Sequence, residues 1–517
     1  MNKNYFKWLI KSRKVSILFF TLICIAFQLI SFTSYDPEHP LDTFQISTNI
    51  GGVLSVFLAA AIPVLLFSYI HRKSSADMYL ALPVSRKEQL LTTILLTWLM
   101  AYGSFFLGTL IVWAARLNCA VRIRTLVFIQ LFSAYSILVL ILFFSAVYVL
   151  ANSVFDGIVM IGAYSILPAV VMITVTTFIY SMIAGNYVPS DSFIYRIGTL
   201  LSPITLFFNN LEYLLAPNDG GQEIFNPYYI VVQLVYGLLS LVILKIHFIN
   251  RKAERTDQIS DEALSYPFII NAYLILILLS LAWSVVSDSM NGLEFAYLLL
   301  FFIYIVASFV YKRTLKITWK PVAFFICACA ATLIFAKAGW TTEGFGLSHL
   351  PHELFPERYL HYNYSADVTI EDLGKQVPDY NQDRAYLSFD LCIPSEKEAE
   401  YADLIEKFEA LRNDAISNFY NYGSSAPNTE VNLSIFNKAK EDGPYLNYYD
   451  YNRIPPLSEE DLKAISKKCE IRLYVINDGD DDTVSDEEYD TLSDEEYDSL
   501  DDMTLDDFLL WRDSRSK

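Results

Sequence analysis

The side chains able to do chemistry in this chain stand mostly in incomplete patterns. His349, His352, Glu353 and His361 gather histidine and carboxylate, the raw material of a zinc hydrolase. A metalloprotease helix needs H-E-x-x-H, which would put histidine where Pro356 stands, so loop histidines are expected. Asp478, Asp480 and Asp482 are spaced as in a calcium loop, yet its sixth position is Thr483 and its twelfth is Tyr489 in place of glycine and glutamate. No G-x-x-x-x-G-K-[ST] and no G-x-S-x-G occurs anywhere. The chain is therefore not expected to be an enzyme, and neither a metal nor a cofactor is expected.

A third set sits in a polar island between two apolar runs, His71 to Leu91, HRKSSADMYLALPVSRKEQLL. Arg72, Lys73, Arg86 and Lys87 outnumber Asp77 and Glu88, which by the positive-inside tendency faces this loop to the cytoplasm. Ala76, Met78, Tyr79, Leu80 and Leu82 can form the apolar face of a short helix. Pro83 ends that turn and Ser85 caps the next helix. An ordinary loop with an amphipathic turn would share these features.

The run Asp77-Met78-Tyr79-Leu80-Ala81-Leu82-Pro83-Val84-Ser85-Arg86 resembles the D-x-Y-x-x-L-P-[IV]-[ST]-R signature between the second and third spans of ABC-2 type exporter permeases from Gram-positive bacteria. That resemblance covers roughly the first half of the chain. It implies that the loop is a coupling helix docked on a separate ABC ATPase subunit, with Arg72, Lys73, Asp77, Tyr79, Leu82, Pro83, Ser85 and Arg86 shaping the contact. Arg86 would make a charged contact with the ATPase or anchor the loop to headgroups. It further implies a homodimer, or a heterodimer with a paralogous permease, in a bacterial plasma membrane. The rival reading is a non-transporting sensor or scaffold whose outer domain binds a ligand.

The elements that must position this loop follow from hydropathy. With 54% hydrophobic residues and a mean hydropathy of +0.33, the 517-residue chain reads as a polytopic α-helical membrane protein. Lysines at positions 3, 7, 11 and 14 suggest an amphipathic interfacial helix over 1–14, followed by an uncleaved span from Val15 to Phe32. Further spans are expected at Val53–Ile70, Leu90–Ala115, Leu126–Leu150, Ile158–Ile183 and Tyr228–Ile249, completing a six-span core over 15–249. Three additional spans, Pro267–Val286, Phe295–Tyr311 and Pro321–Ala336, fall in 250–338. Between Gly185 and Pro227, Ile197–Leu215 is expected as a short re-entrant element or a structured loop. Nine spans with a cytoplasmic N-terminus would place the C-terminal region outside. The acidic loop over Asp36, Glu38 and Asp42 agrees with this topology, whereas Arg116, Arg122 and Arg124 oppose it.

The net charge of −19 hides an asymmetry: from Gly339 onward acids outnumber bases 41 to 16, and the remainder is mildly basic. Nucleic acid is not expected as a partner for so acidic an appendage, because like charge opposes phosphate. Strand composition at Tyr359–Tyr364, Ala385–Ile393, Glu430–Phe436 and Glu470–Ile476, a helical stripe over Ser395–Phe419 and a capping box at Ser458 predict an extracytoplasmic α+β domain over 339–477. Cys392 and Cys469 lie on its strand-like segments, either paired or as two free core thiols. The near repeat of Ser485–Leu492 at Ser493–Leu500 predicts an acidic disordered tail over 478–517. Ionisable residues are scarce in the spans, which favours an amphipathic cargo such as a peptide, antibiotic or lipid.

Overall fold

A computed structural model describes residues 3–30, 40–115, 123–185, 193–215, 227–251, 264–287, 294–315, 319–349, 359–369, 373, 384–422, 431–438, 445–452, 454, 456–476 and 503–515. The loops carrying Asp36 and Glu38 and Arg116 to Arg122, together with His352, Glu353, Asp478 to Asp482 and the acidic repeat, lie outside the described residues. Two compact units emerge. One comprises Met1–Met172, Arg196–Leu274 and Phe302–Thr318; the other comprises Ile173–Tyr195, Ile275–Phe301 and Trp319–Lys517.

Among the described residues eight helices, not the expected nine, are long and apolar enough to cross a membrane. This makes the chain a polytopic helical membrane protein, because in hydrocarbon a helix satisfies every backbone group within itself. The difference lies in α1 (Lys3–Leu29), which runs unbroken through both the basic segment and the apolar one. Its uncharged stretch from Val15 to Leu29 would reach only about 22 Å, short of a ~30 Å hydrocarbon core.

The first unit contains α1, α2 (Pro40–Phe67), α3 (Lys73–Leu80), α4 (Arg86–Ala115), α5 (Ile123–Leu150), α8 (Pro203–Leu215) and α9 (Pro227–Leu244). It also contains parts of α6 (Val154–Met182), α7 (Phe193–Leu200), α10 (Tyr266–Val286) and α11 (Glu294–Lys312). Small residues let α1, α2 and α4 approach closely. The fully buried Gln28 amide fills the space between two glycines, so that a Cβ on Gly51 would lie 2.7 Å from it and one on Gly108 only 2.5 Å. Thr21 Oγ1 meets Ser104 Oγ at 3.2 Å across the same seam. The expected element at Ile197–Leu215 proves to be two helices. They are separated at Leu201–Ser202, where Thr205 Oγ1 donates to the Thr199 and Ser202 carbonyls and Pro203 opens α8.

The second unit contains the remaining helix segments, α12 (Trp319–Thr341) and the C-terminal domain. Ile179, Met182, Ile183, Ala282, Trp283 and Ala336 form its helical core. The final span is longer than Pro321–Ala336: α12 runs from Trp319 to Thr341, carrying Lys337 within the helix. Left-handed residues Glu343, Gly344, Phe345 and Gly346 then turn the chain sharply.

Six antiparallel strands follow in the order β4-β3-β1-β2-β5-β6. They are β1 (Tyr359–Thr369), β2 (Arg384–Pro394), β3 (Val431–Lys438), β4 (Tyr445–Asn452), β5 (Ile471–Ile476) and β6 (Met503–Thr504). Alternate residues Tyr362, Tyr364, Ala366 and Val368 of β1, and Leu387, Phe389, Leu391 and Ile393 of β2, enter one core. Helices α13 (Ala402–Tyr422), α14 (Glu459–Ile465) and α15 (Leu505–Arg515) pack on that core through Phe408, Leu462 and Phe508. Ser458 caps α14, its Oγ accepting from the Asp461 amide at 3.2 Å, and Lys407 forms an ion pair with the same carboxylate.

Two strands escaped the sequence reading. β4 is the polar aromatic run YLNYYDYN, and β6 with α15 lies inside the stretch expected to be a disordered tail. Leu505 and Phe508, three residues apart, are buried and hold α15 to the domain core. Neither Cys392 nor Cys469 is in a disulfide. Cys469 packs against the core, whereas Cys392 stands between the core residues Leu391 and Ile393, so alternation points it to the opposite face. His361 belongs to β1 and not to a loop, with Nδ1 at 3.0 Å from Asp390 Oδ1. His349 pairs with Glu343 in the turn after α12. No group of three or more metal-ligating side chains converges among the described residues.

The C-terminal domain is tied to helix ends within its own unit. Tyr420 Oη donates to the Met182 carbonyl at 2.5 Å and lies 2.7 Å from Ser348 Oγ, which accepts from the Ala184 amide at 3.1 Å. Burial pushes the Tyr420 hydroxyl up to about 12, so it remains a donor at neutral pH. Arg412, buried on α13, donates to the Ser348 carbonyl, Tyr451 Oη and Glu409. Gly185 adopts φ +74° against the Tyr451 ring, where a Cβ would come within 2.1 Å.

Candidate functional site

The polar island begins as soon as α2 ends. Ser68–His71 tightens into a 3-10 turn, and Arg72 takes an extended conformation that breaks the helix before α3 starts at Lys73. Eight residues are too few for a stable isolated helix, so α3 depends on tertiary contacts. Aromatic stacking supplies them. The Tyr79 ring lies 4.2 Å from Tyr69 at an interplanar angle of 19°, and Trp8 of α1 approaches it at 6.4 Å. Gln89, buried on α4, donates from Nε2 to the carbonyls of Tyr79 at 3.0 Å and Val84 at 3.3 Å, binding the exit of α3.

Ser85 then caps α4. Its Oγ accepts from the Glu88 amide at 3.3 Å and donates to Glu88 Oε2 at 3.2 Å. Arg86 follows, half-buried. Its Nη1 donates to the carbonyls of Ile249 at 3.0 Å and Arg251 at 2.5 Å, where α9 ends in a π turn, Lys245–Ile249. A guanidinium is well suited to orphan carbonyls at a helix C-terminus. The charge expected to face a partner or headgroups is thus used inside the molecule.

The other predicted residues divide by exposure. Arg72, Lys73, Pro83 and Ser85 are exposed, Tyr79 and Leu82 are half-buried, and Asp77 lies within α3 with its side chain outside the described atoms. Met78 is 58% exposed although apolar. The loop therefore has a fastened side, comprising Tyr79, Gln89 and Arg86, and a free side, comprising Met78, Pro83 and the cations Arg72 and Lys73.

The fastened side continues into residues not singled out from sequence. Arg251 donates to the Val149 and Ala151 carbonyls and to Asn152 Oδ1, closing the C-terminus of α5. Past the Ala151–Ser153 turn, Asp156 opens α6. It accepts from Tyr266 Oη of α10 at 3.0 Å and pairs with Arg313, just after α11, at 3.2 Å. His71 is buried edge-on to Tyr148, with ring centroids 4.5 Å apart. Arg251 and Arg313 belong to the basic clusters after α9 and α11, but a charge count identifies a side of the membrane and not a hydrogen-bond partner. Neither a family model, nor a characterised protein, nor a solved structure matches the chain.

Proposed function

We propose that this chain is the membrane-spanning permease subunit of an ABC exporter, driven by a separate ATPase subunit and working as a pair with itself or with a paralogous permease. The observation supporting this reading is the division of the Arg72–Arg86 loop into a fastened side and an exposed apolar and cationic side centred on Met78 and Pro83. A lever needs both: a surface for the partner to push, and rigid ties to the helices that must move. The motif resemblance adds the identity of the partner, and the scarcity of charge in the spans favours an amphipathic cargo such as a peptide, antibiotic or lipid. In this scheme the loop is cytoplasmic, in a bacterial plasma membrane, and the seven apolar helices after it bring the C-terminal α+β domain to the extracytoplasmic side; a cytoplasmic N-terminus then requires α1 to cross as well, its short apolar stretch matched by local thinning of the bilayer.

Mechanically, closure of the ATPases presses on α3. The stacked Tyr79 carries the displacement to α1, and Arg86 carries it to the end of α9. From there Arg251 reaches the α5–α6 turn and Asp156 reaches α10 and α11, so one push displaces several spans together. The test is co-expression with the neighbouring ATPase gene and measurement of ATP turnover in nanodiscs for wild type, Met78→Glu and Pro83→Glu. Both sites are exposed, so the variants should fold normally while complex formation falls. If no ATPase associates with the wild-type chain, the exporter reading fails and ligand binding by the α+β domain becomes the function to test.

A further inference from the structure

Helix α5 packs through a buried stripe at spacings of three and four: Leu126, Gln130, Ser133, Ile137, Leu140 and Phe144. Four members are apolar and two are not. Gln130 is 7% exposed and neither its Oε1 nor its Nε2 has a hydrogen-bond partner; Ser133 is 0% exposed and its hydroxyl is likewise unpaired. The two are three residues apart, on one face, and lie roughly 10 and 15 Å from the start of the helix, at hydrocarbon depth. Polar residues in a membrane seam ordinarily bond across to the next helix, as Ser136 does here with Gln233 Oε1 at 3.0 Å.

A primary amide with no partner is unfavourable in this environment, and leucine would fill the same seam without that penalty. Its presence is accounted for if the closed arrangement is one of two. We infer that the α5 seam opens on the chain's own equilibrium and that Gln130 and Ser133 then bind neutral hydrogen-bonding groups. These are water and, on the transport reading above, the amide or hydroxyl groups of an amphipathic cargo. Neither residue carries a charge, so the site selects for hydrogen bonding and not for ions.

The test is cysteine accessibility in proteoliposomes of the full chain alone, with the native cysteines replaced by alanine. Ser133→Cys is compared with Ile137→Cys in the same seam and with Leu131→Cys, whose native residue is 65% exposed on the bundle surface. The probe is 2-aminoethyl methanethiosulfonate, which reacts with ionised thiols and so requires water at the site. The expected result is labelling of Ser133→Cys at least about tenfold faster than either control, as thiolate formation demands. Labelling as slow as at Ile137→Cys overturns the inference. Adding Gln130→Leu should slow labelling of Ser133→Cys while leaving the thermal midpoint unchanged or raised; a lowered midpoint overturns it, because the amide would then be paired. Protection of Ser133→Cys by a hydrophobic tripeptide amide identifies cargo chemistry, and labelling without protection identifies water; both support an opening seam. No ATPase is needed, so failure of the exporter reading leaves this test intact.

Discussion

Replacing Arg86 by leucine should release the loop from α9 before it affects any partner. Both hydrogen bonds of Nη1, to Ile249 and Arg251, are charge-assisted and close off carbonyls at a helix end. Bonds to a charged group contribute about 1.5–3 kcal/mol each; Arg86 is only half-buried and water can replace part of each, so a total of about 2–3 kcal/mol is expected. A loss of that size raises the open population of the loop roughly 30- to 150-fold. Amide hydrogen exchange over Ser75–Leu82 and the first turn of α4 should accelerate by that factor, with exchange in the middle of α5 unchanged. Arg86→Lys keeps the charge but lacks the guanidinium fork, so its effect should fall between wild type and Arg86→Leu. Unchanged exchange in Arg86→Leu, combined with lost ATPase binding, would refute the reasoning: Arg86 would then face the partner, and the contacts to Ile249 and Arg251 would carry no stability.

Three further outcomes are expected. Gly108→Ala should destabilise the α1–α2–α4 seam by about 1–3 kcal/mol through overpacking against the buried Gln28 amide. The double variant Gln28→Ala with Gly108→Ala should recover most of the loss, and strictly additive thermal shifts would contradict the packing described. Asp156→Asn should keep an acceptor for Tyr266 but lose the ion pair with Arg313, so exchange at the C-terminus of α11 should rise more than at the start of α10; the reverse order would argue against the pair. Burial acts to raise the pKa of Asp461, but hydrogen bonds from Lys407 and Ser458 outweigh it and hold the carboxyl below its usual range. Its contribution is therefore present above the ordinary carboxylate range and is lost as the pH falls through the lowered value. In the full chain, hydrogen exchange of α14 should rise as the pH drops below about 4, after correction for the intrinsic rate, and Asp461→Asn should flatten that dependence.

Periodicity and charge made much of this molecule legible. The apolar runs located the eight long helices between α2 and α12, because a backbone surrounded by hydrocarbon has only the helix available at those lengths. Alternation located β1, β2, β3 and β5, and Ser458 announced α14, since period two and capping chemistry are local properties. What the sequence could not supply was partnership between distant residues. β4 is too polar to look like a strand and exists because β3 offers it an edge. α15 sits beside an acidic low-complexity stretch and is ordered by two side chains that find the domain core. Arg86 shows the same limit at the candidate site. Its type and position in the loop were readable, yet its two acceptors come from residues more than 160 positions away. The sequence by itself determined which segments become helices, which strands alternate and where a short helix interrupts the spans. Only the tertiary structure decided which cations are spent on helix ends and which remain exposed, because that choice depends on carbonyls left unpaired where other helices stop.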